Sequence, residues 1–255
     1  MRPHMATSIA LPTDFAVVRG QTQKDVNRTV LTSLINRFPA DAPLKALDLP
    51  CGTLEFLTYM SQLFPAATLY GADIVPPAVV PARVSFVKTD LTQEFNLPAT
   101  AQFDLITSIS GIMMFGNTLS FVRNCVARLK AGGTFVITND NPATIMDRMA
   151  YLFLGRYRLF QTLYEDKEAI TQYVSIQENC RLLRTQGIEI EKIEYTSSYQ
   201  KDLIYLPLAL VVYPLQWLYL RRLNTQLPAS LVRQMYPFKA LFCKHYIITG
   251  RKLSE

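Results

Sequence analysis

The sequence predicts an α/β fold: a doubly wound, mostly parallel sheet of seven strands with an antiparallel edge and a hydrophobic helical cap. The first observation behind this prediction is that short apolar runs alternate with helical stretches between residues 45 and 138. Such alternation is typical of a parallel sheet covered on both faces. The second is a pair of apolar runs, 188–195 and 243–249, separated by a long insertion. These two runs would close the sheet with an antiparallel edge.

Each element follows from the spacing of apolar residues. Segment 13–38 has helical spacing, with a break near Gly20 and an end at Pro39. The first five strands are predicted at 45–49, 68–72, 84–88, 103–108 and 134–138, and helices at 54–64, 119–130, 143–160 and 167–186. The glycines within 131–133 would end the helix before the fifth strand. We expect a single domain, 1–255, with cap segments at 143–186 and 196–241.

Composition excludes several classes of protein. The net charge of +6 comes from scattered Lys and Arg residues, so nucleic acid is not indicated as a partner. The four cysteines, Cys51, Cys125, Cys180 and Cys243, lie far apart, without metal-ligand spacing. Reduced thiols and a polar amino-terminal segment favour a cytoplasmic protein. No metal is expected.

The loop after the first strand, "LDLPCGT", has the features of a binding loop. Asp48 ends the strand, Gly52 lets the backbone approach a ligand, and Thr53 is placed to begin the next helix. In a doubly wound sheet this loop lies where ligands bind. Two more acids end the next two strands: Asp73 in "LYGADIV", at the spacing of a ribose-binding acid, and Asp90 in "VSFVKTDL".

These residues, with "FDLITS" as the fourth strand and "LKAGGTFVIT" entering the fifth, resemble the class I S-adenosylmethionine-dependent methyltransferases. The resemblance covers residues 46–139 and implies a Rossmann-like fold and S-adenosyl-L-methionine as cofactor. It implies the following contacts: Asp48 and Gly52 beside the methionine part, Asp73 on the ribose, Ile74 on the adenine face, Asp90 and Leu91 on the adenine edge, and the Ser108 carbonyl on the amino group.

The first loop departs from the family motif at two positions. Pro50 stands where the first glycine is usual, and Leu54 stands where the third is usual. Both belong to the implied cofactor loop. The Leu54 side chain would point either into the site, where it would shift the methionine tail, or into the core.

The insertion between the runs 188–195 and 243–249 contains the apolar stretch "LIYLPLALVVYPLQWLYL", 203–220, followed by Arg221 and Arg222. Its length is close to that of a membrane span, but Pro207 and Pro214 would interrupt a helix. Two short helices over the cofactor site are therefore expected. They could hold a lipid-like substrate, touch a membrane surface, form a dimer face or exclude water, and the sequence does not choose among these.

Candidate catalytic residues follow from the strand ends. Ser110, Asn139 and Asn141 would lie over the reacting centre, with Tyr173 on the following helix, while His245 is expected to be structural. The leading function is methyl transfer to a small apolar or amphipathic metabolite. One alternative is cyclisation of S-adenosylmethionine to azetidine-2-carboxylate with release of methylthioadenosine, and another is non-catalytic binding. Expected partners are a small-molecule substrate, with peripheral membrane contact and a homodimer left open.

Overall fold

We describe the protein from a computed structural model, over residues 9–18, 22–98, 101–112, 116–156, 174–222 and 227–254. The elements before the insertion are α1 (Val26–Ile35), β1 (Lys45–Asp48), α2 (Glu55–Leu63), β2 (Thr68–Asp73), β3 (Val84–Lys88), β4 (Phe103–Ser108), α3 (Thr118–Ala127) and β5 (Leu129–Asp140). Those after it are α4 (Ile145–Leu154), α5 (Ile176–Thr185), β6 (Ile188–Thr196), a 3₁₀ segment (Gln200–Tyr205), α6 (Leu206–Arg222), α7 (Ala229–Met235), a second 3₁₀ segment (Phe238–Leu241) and β7 (His245–Lys252).

The seven strands form one sheet in the order β3-β2-β1-β4-β5-β7-β6. The first five strands are parallel, and β7 is antiparallel to both β5 and β6. This confirms the predicted fold class. The strand order reverses between β1 and β4, so the carboxyl ends of β1, β2 and β4 border one crevice, where ligands bind in such sheets.

Two apolar layers sandwich the sheet. One contains α3, α5 and α7, with Phe121 and Leu183 among its buried side chains. The other contains α1 and α2, with Leu31 and Met60. A small third cluster joins α4, α6 and the second 3₁₀ segment through Ile145, Ala209 and Leu241. The insertion therefore has its own packing, beside the main core.

Two predicted helix boundaries are wrong. Helix α3 ends at Ala127, and residues 131–133 continue the strand rather than close the helix, because Phe103 N–H bonds to the Arg128 carbonyl and pairs the chain with β4 from Leu129 onward. Within the described part of 13–38, helix begins only at Val26. The preceding chain instead crosses α2, where Val18 N–H donates to Tyr59 Oη at 2.8 Å.

The apolar stretch 203–220 lies mostly in one long helix, α6, rather than in two short ones. Pro214 lies inside α6 without ending it, and Pro207 occupies the first turn, where a missing N–H breaks no helical hydrogen bond. Helix α6 packs on α4 and the second 3₁₀ segment. Of the predicted cap segments 143–186 and 196–241, residues 157–173 and 223–226 lie outside the described part of the chain, so a cap over the cofactor site stays a prediction.

Candidate functional site

A cavity of about 470 Å³ opens at the carboxyl ends of β1, β2 and β4. Its walls come from the loops after the first four strands and from the amino-terminal end of α1. The predicted cofactor residues that line it are Asp48, Pro50, Gly52, Asp73, Ile74, Asp90 and Leu91. This volume lies in the range of small-molecule sites. The chain thus brings most of the sequence-predicted set together in one place.

The first loop is held against β2 by its backbone. Gly52, whose φ is +48°, donates its N–H to Asp73 Oδ2 at 2.9 Å, and Cys51 N–H donates to the Ala72 carbonyl at 3.0 Å. A Cβ at Gly111 would meet the Pro50 ring at 2.0 Å, so a glycine is needed there for the loop to close. Pro50 thus anchors the loop to the segment after β4.

Asp48 lies at the bottom of the cavity and is almost wholly buried. Burial raises the pKa of its carboxyl from 3.8 to about 7, with a smaller contribution from the charge of Asp73. The Thr107 hydroxyl, which donates to Asp48 Oδ1 at 2.6 Å, opposes the rise in pKa. A cation bound beside Asp48 would favour its ionised form.

Four carboxylates surround the cavity: Asp48, Glu55, Asp73 and Asp90. Asp90 accepts hydrogen bonds from the Thr92 hydroxyl and N–H at 2.7 and 2.9 Å, and these lower the pKa of its carboxyl. S-adenosylmethionine carries a sulfonium and an ammonium against a single carboxylate, so this ring of acids matches its net positive charge. Ile74, 56% exposed at the cavity, offers an apolar surface for a flat base.

The Leu54 side chain does not face the cavity. Leu54 adopts φ +62° immediately before α2, and its side chain is fully buried in the layer that contains α1 and α2. Gly71 of β2 makes room for it, since a Cβ there would meet Leu54 Cδ2 at 2.5 Å. The side chain therefore takes the core direction of the two that the sequence left open.

We expect Leu54→Gly to destabilise the protein without changing the reaction. Loss of a buried leucine side chain costs about 3 to 5 kcal/mol, and relief of the left-handed backbone returns about 1 to 2 kcal/mol. Leu54→Ala keeps the backbone strain and should be the less stable of the two in denaturant unfolding. A new nucleoside product from Leu54→Gly would contradict this placement.

We expect Asp73→Ala to weaken S-adenosylmethionine binding by 1 to 3 kcal/mol, or about 5- to 150-fold, in calorimetric titration. The variant loses the acceptor for the Gly52 and Val75 N–H groups as well as the expected ribose partner. Asp73→Asn, which keeps one acceptor oxygen, should lose less affinity. Equal affinity in Asp73→Ala and the unmodified protein would refute the ribose assignment.

Ser110 extends the site toward β7. It lines the cavity just after β4 with φ +54°, a conformation unusual for a residue with a side chain. Its N–H donates to Thr138 Oγ1 at 2.8 Å, and its hydroxyl lies 3.1 Å from His245 Nε2. His245 Nδ1 lies 3.5 Å from Asp140 Oδ1. We call Ser110, His245 and Asp140 the polar chain.

The antiparallel edge explains how His245 reaches the site. Because β7 runs antiparallel to β5, its first residue pairs with the last residue of β5, Asp140. The His245 ring is buried behind Ser110, with its Nε2 also 3.3 Å from Thr138 Oγ1. Sequence reasoning treated His245 as structural; "FDLITSIS" and "CKHYIIT" carry no local signal that they meet.

The other predicted catalytic residues are placed differently. Asn139 is buried away from the cavity, where its amide donates to the Val174 carbonyl and the Tyr246 hydroxyl. Asn141 donates to the Ala240 and Cys243 carbonyls, holding the second 3₁₀ segment to β5. Both contact sets are structural, and neither amide is among the groups that line the cavity. Tyr173 lies outside the described residues.

Glu55 and Asn27 are among the lining residues that the sequence reasoning missed. Glu55 begins α2, and its carboxylate accepts from the Tyr59 hydroxyl at 3.1 Å. Asn27 lies on α1, and its buried side-chain oxygen has no hydrogen-bond partner within the described residues. Because such a group is costly to bury unpaired, it is suited to accept from a ligand N–H or O–H. The apolar periodicity of α1 gave no sign of this.

The comparisons with known proteins identify the family of the chain. The model of the methyltransferase domain family matches residues 23–193. The chain therefore belongs to the class I S-adenosylmethionine-dependent methyltransferases, and S-adenosyl-L-methionine is its cofactor. No curated protein matches the chain.

Three solved structures illustrate the shared fold. An S-adenosylmethionine-dependent methyltransferase from Archaeoglobus fulgidus is 14% identical, with a TM-score of 0.56 and 91% of this chain and 95% of that chain covered. The [4+2]-cyclase SpnF is 18% identical, with a TM-score of 0.54 and 89% and 81% covered. A methyltransferase solved in complex with the Trm112 activator of Haloferax volcanii is 13% identical, with a TM-score of 0.53 and 88% and 89% covered. At these identities the likeness shows the fold.

Proposed function

We propose that this methyltransferase methylates a protic group, such as a hydroxyl, on a small apolar or amphipathic metabolite. The observation that carries the proposal is the polar chain, because it opens into the cofactor cavity at Ser110. S-adenosylmethionine supplies an electrophilic methyl carbon when bound. A hydroxyl acceptor must lose its proton as it reacts, and the chain offers groups that can take it.

The polar chain is arranged to receive that proton. The tautomer that carries its proton on His245 Nδ1, 3.5 Å from Asp140 Oδ1, leaves Nε2 as an acceptor. The acceptor's proton passes to Ser110 Oγ, and the Ser110 proton passes to His245 Nε2 over 3.1 Å. The 3.5 Å separation of His245 and Asp140 fits the looser geometry that catalytic groups often have before substrate binds.

The walls near Ser110 support an acceptor with an apolar part. Pro50, Phe56 and Ile109 line the same cavity, and the Pro50 ring packs on Gly111, the residue after Ser110. Apolar surface beside one proton-accepting group is typical of a small-molecule site with few polar contacts. A phenol or an alcohol on a hydrophobic skeleton matches this lining.

The proposal is tested by product analysis. The protein is incubated with S-adenosylmethionine alone and with a panel of hydrophobic phenols and alcohols, and the nucleoside product is identified by mass spectrometry. We expect adenosylhomocysteine only when an acceptor is present, in equal amount to the methylated product. Methylthioadenosine from the cofactor alone would instead establish the cyclisation reaction and overturn the proposal.

A matched comparison assigns the acceptor class. Ser110→Ala should methylate hydroxyl acceptors more slowly than the unmodified protein does. It should methylate a thiol that is already ionised at neutral pH at an unchanged rate, because such a thiol has no proton to give. If only ionised thiols are methylated, the protic-acceptor proposal is wrong even though the enzyme is a methyltransferase.

A further inference from the structure

We propose that the outer face of α6 docks in the plane of a lipid bilayer with anionic headgroups. We define the outer face by six exposed apolar residues of α6 and the 3₁₀ segment before it: Leu203, Ile204, Leu210, Val211, Leu215 and Leu218. The inference stands apart from the proposed acceptor, since none of these residues lines the cofactor cavity.

The outer face is unusually apolar for an exposed helix. Each of its six side chains is more than half exposed, from 51% for Leu218 to 77% for Ile204. Residues 200–222 are long and apolar enough to cross a membrane, with a mean hydropathy of 1.7, and 6% of their most apolar stretch is buried. Apolar surface of this extent marks an interaction site.

Contacts along α6 show that the helix lies flat on the protein rather than projecting from it. Ala209 packs with Ile145 and Leu241, and the rings of Tyr213 and Phe238 meet edge to face at 5.2 Å. Further along, Gln216 accepts a hydrogen bond from Arg148 of α4. A helix fixed along its length to the body cannot cross a bilayer, so the outer face can meet lipid only in the membrane plane.

Charge identifies the kind of surface that the outer face fits. Residues 203–254 contain seven Lys or Arg residues and no Asp or Glu: Arg221, Arg222, Arg233, Lys239, Lys244, Arg251 and Lys252. The first four of these are exposed and lie on α6, α7 or the second 3₁₀ segment. Basic residues beside an inserted apolar face attract anionic lipid.

The space between α6 and α7 adds two features of a lipid-facing surface. A cavity of about 720 Å³ there is lined by residues that include Tyr213, Trp217, Arg221 and Arg233. Arg221 stacks on the Trp217 ring at 3.4 Å. Tryptophan and tyrosine favour the lipid–water boundary, and arginine pairs with phosphate. The cavity can therefore take a phospholipid headgroup.

Docking can be followed by intrinsic fluorescence, because Trp217 is the only tryptophan of the protein. We expect the emission of Trp217 to shift to the blue when the full chain is mixed with vesicles of phosphatidylcholine and phosphatidylglycerol, and to shift much less with phosphatidylcholine alone. An in-plane helix predicts stronger quenching by lipids brominated near the headgroup than by lipids brominated near the bilayer centre. The reverse depth order would overturn the flat geometry.

Variants separate the apolar and charge contributions in vesicle flotation. Leu210→Gln/Leu215→Gln/Leu218→Gln should abolish flotation, and Arg221→Glu/Arg222→Glu should weaken binding to anionic vesicles at least about tenfold. The matched controls are Ile9→Gln/Leu253→Gln and Arg123→Glu/Arg184→Glu, exposed residues outside the insertion. These controls should float as the unmodified protein does, and thermal unfolding confirms that every variant is folded.

Two outcomes would overturn docking on a bilayer altogether. In one, neither flotation nor a blue shift occurs with anionic vesicles at low salt. In the other, light scattering shows a doubled mass without vesicles, and the α6 variants abolish that doubling, which would make a second copy of the chain the occupant. Equal flotation of the charge-reversed variant and the unmodified protein would refute the anionic preference.

Discussion

His245→Gln is expected to lower kcat with a hydroxyl acceptor by a factor on the order of 10² to 10⁴, the usual contribution of a positioned base. Glutamine fills similar space and can still hydrogen bond to Ser110, but it cannot hold the proton that leaves the acceptor. The affinity for S-adenosylmethionine should be unchanged, because His245 is buried behind Ser110 and does not line the cavity. Steady-state kinetics with calorimetry separates the two quantities.

Thr249→Val provides the control for His245→Gln. Thr249 is buried four positions along β7, and its hydroxyl makes no hydrogen bond within the described residues. Valine has nearly the same shape, so this variant should keep the activity of the unmodified protein. A structural role for His245 predicts a different pattern: loss of thermal stability with kcat preserved in the folded fraction.

The acidity of the acceptor gives a second readout of the polar chain. An acidic phenol gives up its proton readily, so its methylation should lose much less rate in His245→Gln than that of an alkyl alcohol. If His245 only supported the shape of the site, His245→Gln would lower the methylation rate of both acceptors by the same factor. An equal loss would therefore count against proton transfer through Ser110.

Local patterns predicted the parts of the protein that depend on neighbours in sequence. Asp48 and Asp73 each end a strand and Asp90 follows β3 by two residues, and parallel strands bring their carboxyl ends to one edge, so the sequence predicts where the cavity lies. The position of His245 could not, because it depends on the pairing of β7 with β5, which are more than a hundred residues apart. No local pattern encodes that register.

Side-chain direction and helix continuity were the other limits. Leu54 points into the core because Gly71, on another strand, leaves space for its side chain. Pro214 stays within α6 although proline usually interrupts helices. The position of α6 beside α4 depends on contacts such as those of Ala209 with Ile145 and Leu241. Apolar composition predicted the presence of the insertion helix, and tertiary packing determined its location.

Asp48→Asn is expected to stabilise the cofactor-free protein at pH 8 and to weaken its binding of S-adenosylmethionine. The pKa of Asp48 is raised from 3.8 to about 7, so the folded state binds more protons than the unfolded state between these values. The contribution of Asp48 to the free energy of unfolding therefore falls as the pH rises from about 3.8 to about 7, by roughly 4 kcal/mol in total. Asparagine does not ionise and avoids this loss, while its amide still accepts from Thr107.

The difference should be visible in thermal unfolding as a function of pH. At pH 8 the variant should unfold roughly 10 °C above the unmodified protein, and near pH 4 the two should coincide. Asp41→Asn, an exposed change in the loop before β1, serves as the control and should leave the pH dependence unaltered. Parallel pH curves for Asp48→Asn and the unmodified protein would show that Asp48 is not the group responsible.

Cofactor binding should depend on pH in the opposite direction. S-adenosylmethionine carries net positive charge, so it favours ionised Asp48, and its affinity for the unmodified protein should fall by up to about tenfold for each pH unit below 7. Calorimetric titration of the unmodified protein with S-adenosylmethionine at pH 6, in buffers of different ionisation enthalpy, should detect the release of up to one proton on binding. Asp48→Asn should bind more weakly at pH 8 and release no proton. Ionised Asp48 thus destabilises the cofactor-free protein, but the positive charge of the bound cofactor stabilises the same ionised carboxylate. This gives a physical reason for a buried acid at the end of β1.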